Sequence, residues 1–237
     1  MNDAGLNRSL AILAFLASTI VLCMVGGILA TGFSQEFFQL APSPAAVTAQ
    51  LSDHPAHSLG LRLNLGLDNL FITVYCAFFA FLAVRMRELL SPVTIGVALG
   101  SMLLTALLDA VENHHILAVL HAFQNDAPIS GEEMQLQFVA SNLKFHGTYV
   151  GSLLFAFGLY RLGGLGRVVA YLLWFGYLPL GMITFAVPTA TAGPFALART
   201  AFFVLAFALL GVLFWRSAGA PGKADMGRDA EKIGARA

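Results

Sequence analysis

The residues able to do chemistry are concentrated in one short stretch. Asp109-Ala-Val-Glu-Asn-His-His115 places two carboxylates, a carboxamide and two imidazoles near the end of a long apolar run. In hydrocarbon an ionisable side chain costs from about 3 to more than 10 kcal/mol, so several within two turns need partners, water or a task. At 100° per residue, Ser101, Thr105, Asp109, Glu112 and Asn113 fall on one arc of a helix, with His115 at its flank. Gln137, Ser141, Lys144, Thr148 and Ser152 form a second polar stripe on the following run. Consecutive helices joined by a short loop are usually neighbours, so the two stripes are expected to face each other.

Other runs add to this group. Asn64, Asp68 and Tyr75 share a face of the second run, and Arg199 lies in the sixth. At a rise of about 1.5 Å per residue, Asp68, Asp109, Glu112, Lys144 and Arg199 all fall roughly 8–15 Å below one surface of a membrane. Three carboxylates thus meet two cations. Full ionisation would leave a net negative charge in a low dielectric, which a proton or an external cation would balance. The expected ligand- or proton-binding residues are Asp68, Asp109, Glu112, Asn113, Lys144 and Arg199.

Glu112 and His115 also read as Glu-x-x-His, a short pattern that can supply two ligands to zinc or a similar transition metal. Asp68 or Asp109 would complete the set. No Gly-x-Ser setting for an intramembrane serine nucleophile occurs within the apolar runs. Three uses of the polar group follow. It binds or transfers a small polar or amphiphilic ligand, it holds a metal that activates water against a lipid or small molecule, or it is an ion-pair network that fixes helix packing in an accessory subunit.

The elements that must position these residues are membrane spans. Of 237 residues, 58% are hydrophobic and only 11% charged, where a soluble domain carries about 25%. Mean hydropathy is +0.77. The apolar runs 9–31, 62–84, 92–119, 135–160, 166–187 and 194–215 are each long enough to cross a bilayer. The expected fold is therefore an all-α polytopic bundle of six transmembrane helices over residues 1–218. The first run has 23 residues, longer than the roughly 7–15 of a cleaved signal's apolar region, and reads as an uncleaved span. Residues 32–60, with Pro42, Pro44 and Pro55, form an external loop long enough to cap the bundle.

Arg8, Arg85, Arg87, Arg161, Arg167 and Arg216 all fall on one side if the six runs span. The positive-inside rule then puts both termini in the cytoplasm, and the compact loops suggest a bacterial inner membrane. The tail 219–237, rich in Gly, Ala and charge without apolar periodicity, is expected to be disordered. Thirteen basic and thirteen acidic residues cancel, which points to no nucleic-acid partner. Lipid, and a partner helix or second copy against the Phe-rich faces, are the expected neighbours. Cys23 and Cys76 lie inside apolar runs and read as small core residues. Two Gly-x-x-x-Gly pairs, Gly96/Gly100 and Gly147/Gly151, predict close helix contacts. Pro179 predicts a kink in the fifth run.

Overall fold

The computed structural model describes residues 3–39, 43–54, 56–187 and 189–219; for 189–192 it describes only the backbone. The tail expected to be disordered lies, apart from Gly219, outside the described residues. Among the described residues every regular element is helical. The long helices are α1 (Asp3–Thr31), α4 (Ala56–Met86), α5 (Pro92–Gln124), α6 (Gly131–Leu162) and α9 (Thr189–Gly219). Two short helices, α2 (Glu36–Gln39) and α3 (Pro44–Asp53), fold within the 32–60 segment. The fifth apolar run becomes α7 (Gly164–Leu172), a π-helical turn (Leu173–Tyr177) and α8 (Leu178–Ala186).

Five of these segments are long and apolar enough to cross a membrane, counting α7 through α8 as one. The sixth expected span, α6, has the length, with 32 residues, but not the hydropathy. Its polar stripe lowers the average, and that stripe is turned inward. Gln137, Ser141, Lys144, Thr148 and Ser152 are all buried. The bundle has the polarity of a multi-pass membrane protein, with buried Asp68, Glu112 and Lys144, and with Leu22, Leu29, Leu107, Phe157 and Phe175 exposed on the outside.

Local chemistry sets the ends of the helices. Ser91 and Ser130 cap α5 and α6 by accepting from the backbone N–H of Thr94 and Glu133, and Pro92 occupies the first turn of α5. Gly163, at φ 72°, stops α6. Backbone hydrogen bonding carries each helix past its apolar run, so α4 starts at Ala56 and shortens the loop. At Pro179 the helix carries a π-helical distortion. The proline ring crowds the carbonyl four residues back, and the chain answers with the wider π turn immediately before it.

The helices form a ring. Each packs on its neighbour in chain order, and α9 closes against α1. Gly147 and Gly151 let α6 approach α5 closely: a Cβ at either would fall 3.1 Å from a backbone oxygen of α5, that of Ser101 or Ala98. The expectation for Gly96/Gly100 fails, because both face open space. Ala98 and Met102, on another face of the same helix, make the contact instead. The basic ends gather as expected. Arg85 donates to Asn7, Arg161 to the Leu89 carbonyl, and Arg167 lies over the Tyr160 ring.

At the opposite end, Phe33, Phe38, Val47 and Leu51 of the 32–60 segment form a small core with Leu61, Leu65, Ile116 and Leu120. This core holds α2 against the bundle. The described parts of the segment thus lie against this end of the bundle, and they are referred to below as the cap.

Candidate functional site: a buried ion-pair seam beside an amphiphilic cavity

The facing polar stripes of α5 and α6 meet. Lys144 Nζ lies 2.7 Å from Asp109 Oδ1 and 2.8 Å from Glu112 Oε2. The other carboxylate oxygens are also engaged. Tyr75 on α4 donates its hydroxyl to Asp109 Oδ2 at 2.6 Å, and Gln39 on α2 donates to Glu112 Oε1 at 3.0 Å. Ser141 donates to Glu112 Oε2 at 2.7 Å and accepts from Gln137 Nε2 at 2.9 Å. Thr105 and Thr148 both donate to the Lys144 carbonyl, tying the two backbones together below the ion pair. Glu112 is fully buried, and such a charge is tolerable only when all its lone pairs are met.

The α4 side is arranged differently. Asp68 accepts a hydrogen bond from Asn113 Nδ2 at 2.8 Å, and no cation among the described residues lies within ion-pair distance of it. One turn earlier, Asn64 is 4% exposed, and neither its amide nitrogen nor its amide oxygen has a partner. The Oε1 of Gln35, on the cap, is likewise buried without a partner. These three residues line one cavity of about 160 Å³, together with Asp109, Lys144 and Arg199. Much of the remaining wall is apolar. It includes Val25 of α1, Phe71 and Phe79 of α4, and Phe203 of α9.

Arg199 reaches the site as its depth implied, but with an aromatic partner. Its guanidinium lies 3.6 Å from the centre of the Phe145 ring, and no carboxylate among the described residues is within ion-pair distance. A second cavity, of about 280 Å³, lies on the far side of this pair, between α6, α8 and α9. Glu36, Gln39, Phe145 and Arg199 line both spaces and so form the wall between them.

Of the residues expected at the site, Asp68, Asp109, Glu112, Asn113, Lys144 and Arg199 are gathered around one side of the bundle. His115 is not. Its Nδ1 pairs with Glu133 in the first turn of α6, while Glu112 faces Lys144. Among the described residues no three His, Cys, Asp or Glu side chains are grouped so as to hold a metal ion. The physical reason is angular: the flank position of His115 carries it around the helix towards the α5–α6 loop.

Reading the sequence missed Gln35, Glu36, Gln39 and Phe145. Glu36 brings a third carboxyl group to the cavity, beside Asp68 and Asp109, and accepts from Thr200 at 3.2 Å. A signal for the cap residues does exist. In Phe33-Ser-Gln-Glu-Phe-Phe-Gln39 the polar residues 35, 36 and 39 recur at helical spacing, interleaved with phenylalanines that anchor the segment. Comparison with protein-family models, with curated proteins and with solved structures gives no match to this chain.

Proposed function

We propose that this chain is a six-span inner-membrane protein, with both termini cytoplasmic, that binds or transfers a small polar or amphiphilic ligand in its outer-leaflet cavity. The observation that carries this reading is the cavity itself. Charged residues from α4, α5, α6 and α9 converge on it, while an adjacent buried amide, Asn64, is left without a partner. An orphaned amide in such a place costs about 1–3 kcal/mol, and a bound ligand would recover it. Binding is proton-linked on this reading, because four carboxyl groups (Glu36, Asp68, Asp109, Glu112) meet only Lys144 and Arg199 at the site. A proton or a ligand charge balances the difference.

Two further points support the placement. The basic ends of the helices share one end of the bundle, as the positive-inside rule requires. The inward polar face of α6 explains how a helix of modest hydropathy can sit among five apolar ones. The test is native mass spectrometry of the full chain, extracted in mild detergent, beside the variant Val25→Trp. That variant fills the cavity from α1 without touching the seam. A small molecule retained by the wild type and absent from the variant is expected. Identical ligand-free spectra, together with no binding across a panel of polar and amphiphilic probes, would count against the reading.

One observation favours a second reading, that of an accessory subunit with a purely structural network. All four oxygens of Asp109 and Glu112 are engaged within the chain, which leaves the seam nothing to offer a ligand. That reading accounts for the seam and leaves Asn64 unexplained. A metal-dependent enzyme would need ligands beyond Glu112 and His115. Elemental analysis of the same preparation tests it directly, with about one zinc per chain as the result in its favour.

A further inference from the structure

The cavity's polar end is specific in kind. Three acceptor-bearing residues line it: Asp68, whose carboxylate meets Asn113 but no cation, and Asn64 and Gln35, whose amide oxygens have no partner. They come from two turns of α4 and from the segment before α2. Asn64 and Gln35 are more than nine-tenths buried, so bulk water does not satisfy them. Of the two resident cations, Lys144 is divided between Asp109 and Glu112, and Arg199 lies over the Phe145 ring.

We infer that the cavity binds a primary amine carrying a compact apolar group, with its ammonium between Asp68, Asn64 and Gln35. The inference rests on the ligand-binding reading above and names the ligand's class. An alkylammonium has three N–H donors, one for each of these acceptors. An anion would meet the carboxylates of Asp68 and Glu36. A neutral alcohol would leave Asp68 uncompensated in a low dielectric.

The other end of the cavity selects the rest of the molecule. The rings of Phe71 and Tyr75, with centroids 5.0 Å apart, stand beside Asp68 and offer aromatic surface to a cation. Beyond them the walls are Val25, Phe79 and Phe203. A cavity of about 160 Å³ is close to the volume that accommodates one benzene ring. A ring or a short alkyl chain therefore fits, and a long acyl chain does not.

The test uses the full chain in mild detergent and three probes of one shape: benzylamine, benzyl alcohol and phenylacetate. Binding is read by calorimetry and by the shift in unfolding temperature. Saturable binding of benzylamine alone is expected, weakened about tenfold or more in Asp68→Asn and in Asn64→Leu, and abolished in Val25→Trp. Asn64→Leu introduces no new polar group, so it remains informative if Asp68→Asn fails to fold. Saturable binding of the alcohol or the phenylacetate, lost in Val25→Trp, would keep the pocket and overturn the amine. Benzylamine binding that survives all three variants would be partitioning into detergent and would overturn it too. Saturation by none of the three probes would overturn both the amine and, for ligands of this size, the pocket.

Discussion

Glu112 and Asp68 are both buried carboxylates in one charged layer, yet the bundle treats them in opposite ways. Glu112 lies in the α5–α6 seam with both oxygens engaged by Lys144, Ser141 and Gln39. Asp68 lies on the α4 side, held by one amide and flanked by the unpartnered Asn64. The seam is complete without any outside molecule, and the cavity side is not. A buried polar group that nothing in the chain satisfies lowers stability, so its presence calls for a reason other than packing. On the proposed reading, the seam stabilises the bundle and the cavity binds the ligand.

The largest test of that division is Lys144→Met. It strands Asp109 and Glu112 in a low dielectric, and stability should fall by about 3–5 kcal/mol in detergent unfolding curves. Adding Glu112→Gln should recover part of the loss; a double variant as unstable as the single one would argue against a charge-balanced seam. Next in size is Gly151→Val, whose side chain would press on Met102 and the Ala98 carbonyl and should cost about 1–3 kcal/mol. Gly100→Ala, on the open face of α5, should leave stability unchanged or raise it by up to about 1 kcal/mol.

Smaller still is the expected effect of Asn64→Leu. Removing an amide that has no partner should leave stability within about 1 kcal/mol, or raise it, while benzylamine binding weakens about tenfold or more. A loss above about 2 kcal/mol would show that Asn64 belongs to the structural half after all. The smallest change is expected from His115→Gln. The pairing of His115 with Glu133 is partly exposed, and its removal should move stability by less than about 0.5 kcal/mol. Zinc that copurifies with the wild type and is lost in this variant would instead revive the metal reading.

Much of this arrangement was legible in the chain. Asp109, Glu112 and Lys144 could be placed face to face because helix period and burial both demanded it, and the Gly147/Gly151 pair marked the close contact beneath them. The same reasoning applied to Gly96/Gly100 failed, since a glycine pair records that an approach is possible and not that a neighbour is there. His115 misled in a related way. Its spacing from Glu112 suits a shared ligand, but a flank position can turn to either side, and Glu133 is close enough to take it.

Sequence by itself determined the apolar helices and the direction their polar stripes must face. Hydrocarbon forces backbone hydrogen bonds inside each segment and drives ionisable groups away from lipid, and both demands are written locally at a period of 3.6 residues. Only the tertiary structure decided which two carboxylates Lys144 would hold, which was left for the cavity, and that Gln35, Glu36 and Gln39 would line it. Those outcomes depend on separations of about 3 Å between groups far apart in the chain, and no local pattern encodes such distances.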